Sequence, residues 1–201
     1  MNYYKITNQY ERHHNLQYHT GLNVDCLPFR PSGDCEDGGI YFARRDILAF
    51  LFKGPWLRMV TIPDDAQVYL NPDPPEKWKA DKVILGPRKK ITLNVIKRLI
   101  KEGADIHADN DAALKHAACN GQTETVKMLL NHGADIHADD NSALKHAACN
   151  GHTETVKMLL ENGADVHADD NLALKLAAYP YHGHTETVSV LKQWMADHDN
   201  K

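Results

Sequence analysis

Long hydrophobic runs are missing from this sequence of 201 residues, whose longest strongly apolar stretch covers only residues 47–52. A helix that crosses a bilayer needs about 20 apolar residues, so the sequence predicts no membrane span. The first residues also lack the apolar core of a signal peptide, which favours the cytoplasm and its reducing conditions. Because 42% of the residues are hydrophobic, the chain can form a folded core, and we do not expect disorder.

Cysteine is scarce, and the four cysteines form no Cys-x-x-Cys pair of the kind that binds zinc or carries dithiol redox chemistry. Cys26 and Cys35 lie in one loop-like stretch, whereas Cys119 and Cys149 are 30 residues apart. We therefore predict free thiols.

Aromatic residues and prolines become rare after residue 90. Residues 1–90 hold 12 of the 15 aromatic residues and 8 of the 9 prolines. They carry 13 Lys and Arg against 11 Asp and Glu, whereas residues 91–201 carry 10 against 16. This change in composition and charge predicts two domains, 1–90 and 91–201. The run Arg88-Lys89-Lys90 at the boundary is so short that we expect a solvated turn and not a nucleic-acid patch.

The second half of the sequence repeats itself every 30 residues. The hexapeptide Gly-Ala-Asp-Ile-His-Ala begins at Gly103 and at Gly133, and it returns with one change at Gly163. A fixed period of this kind is typical of a stacked repeat architecture. The units are a half-repeat at 91–102 and repeats at 103–132, 133–162 and 163–201, the last of which is enlarged by two residues.

Each repeat predicts two short helices that cannot bury their apolar faces alone and must stack on their neighbours. In the first repeat, residues 112–118 are strong helix formers with small side chains suited to close packing. The apolar residues Val126, Leu129 and Leu130 then follow the i, i+3, i+4 spacing of one buried stripe. Gly133 is typical of the residue that ends a helix.

Residues 151–168 read Gly-His-Thr-Glu-Thr-Val-Lys-Met-Leu-Leu-Glu-Asn-Gly-Ala-Asp-Val-His-Ala, which closely resembles the second helix and turn of the ankyrin repeat. The resemblance covers residues 91–201 and implies an all-α solenoid of helix pairs. Two features depart from the family. The repeat is shorter than the usual period of about 33 residues, and Ala113-Leu114-Lys115 stands in place of the Thr-Pro-Leu-His signature.

Shortened units of this style resemble those of giant-virus (mimivirus-type) ankyrin proteins, and residues 17–25 and 56–63 resemble the segment that precedes repeats in that family. The resemblance implies a viral, non-enzymatic protein in the host cytoplasm. It would bind a host or viral protein through the concave face of its repeats. A purely structural protein without a specific ligand is a further possibility for such an array.

Aspartate and asparagine recur in threes in the turns, at residues 109–111, 139–141 and 169–171, and three lysines form a parallel row. The resemblance implies that these turns and the first helices form the binding surface. A negative edge favours a protein partner with a basic patch and argues against nucleic acid. The predicted partner-binding residues are Asp109, Asp111, Lys115, Asp139, Asp140, Lys145, Asp169, Asp170, Lys175, Tyr179 and Tyr181.

The front half predicts a small α+β domain. Asp64-Asp65 is expected to form a turn between two strands. Eight prolines argue for short elements joined by rigid loops. The expected strands are 15–24, 38–43, 56–62, 66–70 and 82–85, with a helix over 44–52.

Two short motifs in this domain, Tyr18-His19-Thr20-Gly21 and Gly39-Ile40-Tyr41-Phe42-Ala43, resemble the ADP-ribosyltransferase fold. The resemblance implies that His19 would bond the nicotinamide ribose and that Tyr41 would stack on the nicotinamide. The acidic residue of that family would have to be Glu76 or Asp81. The alternative function is therefore a minimal or degenerate ADP-ribosyltransferase targeted by the repeats. In the leading interpretation His19 and Tyr41 fill a small core, and the protein has no catalytic residue and no cofactor.

Histidine recurs at 107, 137 and 167, and also at 116 and 146. Equivalent positions in neighbouring helix-pair layers are about 10 Å apart. Metal ligands lie about 2 Å from their ion, so a row of this spacing predicts no metal site.

Overall fold

The computed structural model describes residues 2–13, 15–32, 38–71, 73–179 and 183–198. The chain divides into two compact units, Met1–Asp109 and Asn110–Lys201. The first unit contains short strands and the half-repeat, and the second contains helices. An α+β region is therefore followed by helical repeats, which confirms the predicted fold class.

The described part of the first unit contains ten short strands, and their pairings are antiparallel. The strands are β1 Tyr3–Thr7, β2 Arg12–His13, β3 Leu16–Gln17, β4 Gly21–Val24, β5 Ile40–Phe42, β6 Trp56–Thr61, β7 Val68–Asn71, β8 Lys77–Ala80, β9 Lys82–Leu85 and β10 Lys89–Lys90.

The strands form two main sheets. One has the order β1-β6-β9-β4, with β10 also paired to β6, and the other has the order β5-β8-β7. Strands β2 and β3 form a separate hairpin. The backbones of Tyr4 and Ala43 exchange two hydrogen bonds of 2.8 Å, which connect β1 to the end of β5. Strands far apart in sequence are thus held together in one unit.

Both sheets contribute to one apolar core. The ring of Tyr3 packs against it edge-on, with its centroid 5.4 Å from that of Phe42 and 5.3 Å from that of Trp78. Removal of this apolar surface from water is the main force that stabilises such a unit. The buried members of the core are Tyr18, Ile40, Phe42, Val60, Ala80, Val83 and Leu85.

Two predicted elements of this unit form differently. The single strand expected over 15–24 is divided into β3 and β4, because the side chain of Asn23 bonds the backbone of His19 in place of a continuous ladder. The helix expected over 44–52 is a 3₁₀ helix, Arg45–Lys53, which starts without a side-chain cap and leaves helical dihedral angles at Asp46.

The boundary run is also not the solvated turn that we expected. Lys89 and Lys90 are exposed but form β10, where they pair with Leu57 and Trp56 of β6. The guanidinium of Arg88 lies 4.6 Å from the ring centroid of Trp56. No strand was predicted here because a pair of lysines lacks the alternation of apolar and polar residues that indicates a strand.

The half-repeat forms helix α1, Leu93–Lys101, whose first turn is capped by the side chain of Thr92. It belongs to the first unit and contacts the strands there. The hydroxyl of Tyr4 donates to a carboxylate oxygen of Glu102 at 2.6 Å, and the backbone N–H of Asp105 donates to the carbonyl of Arg45 at 2.7 Å. The first bond connects β1 to the end of the half-repeat, and the second connects the 3₁₀ helix to the start of the first repeat.

The repeats supply helix pairs at the predicted positions. Val126 and Leu129 are completely buried in the second helix of the first repeat, and Val156 and Leu159 are completely buried in that of the second repeat. Leu130 is only half-buried, although its equivalent in the next repeat is buried. The helices are α2 Ala108–Cys119, α3 Thr123–Asn131, α4 Ala138–Cys149, α5 Thr153–Glu161, α6 Ala168–Ala177 and α7 Thr185–His198.

Gly133 ends α3 as predicted. Its φ of 94° lies in a region that side chains avoid, and its N–H donates to the carbonyl of Leu130. The N–H of Ala134 donates to the carbonyl of Leu129. Together these two bonds form a Schellman motif, which satisfies helix carbonyls that would otherwise lack partners.

Candidate functional site

The turn that opens each first helix has an unusual backbone. Asp139, Asp140 and Asn141 have φ values of 53°, 52° and 60°, and the triplets at 109–111 and 169–171 have the same left-handed conformation. This conformation costs most residues roughly 1–2 kcal/mol each, and Asp and Asn tolerate it best because their side chains bond locally. The repeated Asp and Asn residues are therefore required by the backbone of the turn.

The third residue of the first two triplets connects one repeat to the next. The carboxylate of Asp111 accepts the backbone N–H of Asp135 at 2.9 Å, and the amide oxygen of Asn141 accepts the N–H of Asp165 at the same distance. Both side chains belong to buried residues. Asp111, which we predicted as a partner-binding residue, thus lies inside the array and joins two turns.

The first two residues of each triplet are exposed. They are Asp109, Asn110, Asp139, Asp140, Asp169 and Asp170, and all but Asn110 carry a carboxylate. In the first two triplets the third residue, Asp111 or Asn141, is bonded to the next repeat. The exposed carboxylates beside it therefore project from turns of fixed geometry.

The structure brings the lysine row and the acidic row together. Lys115 Nζ lies 3.5 Å from Asp139 Oδ2, and Lys145 pairs in the same way with Asp169 of the following repeat. Lys175 pairs with Asp170 of its own triplet. The hydrogen bond from Lys175 lowers the pKa of Asp170. The surface is therefore an alternating array of both charges.

Two histidines of the first helices add no charge to this surface at neutral pH. Burial lowers the pKa of His116 and of His146 below its ordinary value. Of the two tyrosines predicted to anchor a partner, Tyr179 is exposed after α6, and Tyr181 lies outside the described residues.

Second helices carry an inter-repeat network that the sequence analysis missed. The ring nitrogen Nε2 of His152 lies 3.0 Å from the carbonyl oxygen of Cys119, and Thr123 and Thr155 share a hydroxyl hydrogen bond of 2.8 Å. The same pairs recur one repeat later as His184 with Cys149 and Thr153 with Thr187. The Gly-His and Thr-x-Thr segments that recur in the sequence could have indicated these inter-repeat hydrogen bonds.

Metal ligands do not converge in the part of the chain that the structure describes. No group of three or more His, Cys, Asp or Glu side chains there could hold an ion. The rings of His137 and His167 instead lie against the amide oxygens of Asn141 and Asn171. Cys26, Cys119 and Cys149 are free thiols, as predicted, and Cys35 lies outside the described residues.

The residues of the alternative enzymatic interpretation are dispersed. Tyr41 lines a pocket whose described lining includes none of His19, Glu76 and Asp81. His19 is exposed between β3 and β4. Asp81 accepts the backbone N–H of Gln67 at 2.9 Å. The pocket beside Tyr41 therefore does not combine this tyrosine with the other residues that the resemblance implied.

A family model described as ankyrin repeats (3 copies) matches residues 89–170 and, overlapping them, 137–201. The chain belongs to the ankyrin-repeat family. Its repeats of 30 residues are thus shorter than the usual ankyrin period of about 33. In the described part of this ankyrin chain, no helix is both long and apolar enough to cross a membrane.

The relatives of this ankyrin chain include proteins of Acanthamoeba polyphaga mimivirus. The chain is 43% identical over 123 residues to R229 and 34% identical over 133 residues to R896, both named as ankyrin repeat proteins. The matches cover 57% and 61% of this chain but 40% and 39% of those relatives. A shorter mimivirus protein, the uncharacterised R869, is 36% identical over 134 residues, which cover 62% of this chain and 94% of R869.

Proposed function

We propose that this ankyrin protein is a non-enzymatic binding module whose partner docks on the exposed carboxylates and lysines of the repeat turns. The observation that supports the proposal most directly is the division within each triplet. The third residue joins neighbouring repeats in the first two triplets, and the first two residues of all three triplets reach solvent. Groups displayed on turns of fixed geometry lose little conformational entropy when they bind.

The charge of the second unit favours a partner with a basic patch. Residues 110–201 contain 7 lysines and no arginine against 13 Asp and Glu, a formal net charge of −6. The ion pairs of the turns engage Asp139, Asp169 and Asp170, and among the described residues Asp109 and Asp140 have no such partner, so these two carboxylates are the most available to a cation from outside. Charge complementarity of this kind mainly raises the association rate and sets its salt dependence.

The family and the relatives support a protein partner in a viral setting. Ankyrin repeats generally mediate protein–protein interaction, and the mimivirus relatives point to a viral origin. In this proposal the partner is a host or viral protein met in the host cytoplasm. Neither a nucleic acid, a membrane nor a cofactor takes part.

The test uses the full chain and one matched control. The variant D139N/D140N/D169N removes three carboxylates from the turns, and the control E154Q/E161Q/E186Q removes three exposed carboxylates from the second helices. Each protein is used to capture partners from an Acanthamoeba lysate, and association rates are then measured with the purified partner. Salt screens exposed charges strongly, so the comparison is made at low and at high ionic strength.

At low salt we expect the turn variant to associate about tenfold more slowly, and the control to stay close to the unchanged protein. The difference should vanish at high salt. Equal rates for the turn variant and the control at low salt would show that the turns are only a solvated rim.

A further inference from the structure

The first unit contains a pocket that the repeat surface does not use. Its volume is about 180 Å³, and it lies beside β1, β5 and the 3₁₀ helix. An apolar cavity of about 150 Å³ is large enough for benzene. The pocket therefore has room for one aromatic ring with a small substituent.

The walls of the pocket combine aromatic rings with positive charge. The described lining contains no Asp or Glu. It includes the rings of Tyr18, Tyr41 and Phe50. The basic side chains of the lining are Lys5, Arg12, His13, Lys53 and Lys77.

These basic groups are arranged from the surface inward. Arg12 and Lys53 are exposed, Lys77 is half-buried, and Lys5 is buried with only 7% of its surface exposed. The Lys5 ammonium donates to the carbonyl of Tyr41 at 2.7 Å and lies 4.5 Å from the ring centroid of Tyr18. An anion that enters the pocket would thus meet cations at the rim and one more inside.

The inner lysine is held in an environment that opposes its charge. Burial, and after it the charge of Lys53, lower the pKa of Lys5 to about 7. A buried ammonium without a carboxylate beside it is costly, and a bound anion would remove part of that cost. The tyrosine rings beside it supply the flat apolar surface that an aromatic ligand needs.

We propose that this pocket binds a small organic anion that carries one aromatic ring and one carboxylate or phosphate group. The ring occupies the space beside Tyr18 and Phe50, and the anionic group lies towards Lys5 and Lys53. The volume suits a single ring, and the cations favour an anion over a neutral or basic ligand. This proposal concerns the first unit and is independent of the partner surface on the repeats.

The test titrates the full-length protein with benzoate and with phenyl phosphate and follows the backbone amide resonances. Benzamide serves as the neutral isostere of benzoate, and inorganic phosphate as an anion without a ring. The variants are Lys5→Met and Lys53→Gln, with Lys82→Gln as the control. Lys82 is a lysine of the same unit that does not line the pocket and pairs with Asp65.

We expect at least one aromatic anion to bind with a Kd on the order of 1 mM, the range for a ligand of about ten non-hydrogen atoms. Amides of β1 and β5 should shift most. Lys5→Met and Lys53→Gln should each weaken binding about fivefold or more, whereas Lys82→Gln should change it less than about twofold. Because Lys53 is exposed, its variant keeps the test valid even if Lys5→Met alters the fold.

Three results would overturn the proposal. Benzamide could bind as tightly as benzoate, which would make the pocket merely apolar. Inorganic phosphate could bind as tightly as phenyl phosphate, which would show that surface cations alone are responsible. The third is the absence of saturable shifts with both aromatic anions up to about 20 mM, a concentration well above the Kd expected for a ligand of this size.

Discussion

The amide oxygen of Asn141 accepts the backbone N–H of Asp165, 24 residues further along the chain, at 2.9 Å. Asp111 makes the same bond to Asp135 in the preceding repeat. In each case the acceptor has a left-handed backbone and is buried. One side chain thus stabilises its own turn and fixes the turn of the next repeat.

This relationship predicts that Asn141→Ala is destabilising. The change removes the acceptor of the Asp165 N–H, a partly buried hydrogen bond worth about 0.5–1.5 kcal/mol. Alanine also tolerates the left-handed conformation less well than asparagine. Asn141→Asp is the matched control, because aspartate already makes this bond at position 111. Urea unfolding of the two variants measures the difference, and an Asn141→Ala cost below about 0.5 kcal/mol, typical of a surface site, would contradict the assignment.

The buried stripe of the second helices predicts a second result. Leu129 is completely buried, so Leu129→Ala should lower the free energy of unfolding by about 2–5 kcal/mol. Leu130 is only half-buried, and Leu130→Ala should therefore cost clearly less. Chemical denaturation of both variants tests this order, and equal costs would mean that the two leucines are packed alike.

The contact between the half-repeat and the strands predicts a third result. Tyr4→Phe removes the hydroxyl that donates to Glu102, a bond to a charged group worth about 1.5–3 kcal/mol. Tyr10 is 77% exposed, so Tyr10→Phe is the control and should be neutral. Thermal unfolding of the full chain gives both values. If the two variants have the same melting temperature, the Tyr4 hydroxyl does not help to hold the half-repeat on the strands.

The pKa of Lys5 predicts how stability depends on pH. Burial and Lys53 lower this pKa to about 7 in the folded protein, whereas an unfolded lysine titrates near 10.4. Between these values the unfolded chain binds one proton more than the folded chain, so stability rises with pH by up to about 1.4 kcal/mol per unit. Below pH 7 both states are protonated, and the cost of the buried charge is complete and constant.

Lys5→Met removes this dependence. The stability advantage of Lys5→Met over the unchanged protein should be largest below pH 7 and should shrink as the pH rises from 7 to 9. Other titrating groups cancel in this comparison. Urea unfolding at several pH values measures it, and a difference that is independent of pH would show that Lys5 keeps an ordinary pKa.

The sequence by itself determined the period, the helix pairs and the way the helices end. These features depend on residues that are close in the chain, such as the i, i+3 spacing of Val126 and Leu129 and the positive φ that Gly133 can adopt. The same local pattern returns in each near-identical repeat. The sequence also indicated strands at Ile40–Phe42 and Trp56–Thr61. It did not indicate β1, whose residues are apolar or buried on both faces and therefore do not alternate.

Only the tertiary structure decided which side chains meet. Lys145 and Asp169 belong to different repeats, and both look like solvated charges in the sequence. Lys5 points into a pocket because its strand is covered on both sides, whereas its charge alone would place it in water. Local preference depends on a residue and its near neighbours in the chain. The pairing of distant residues depends on the free energy of packing the whole unit, which no local pattern contains.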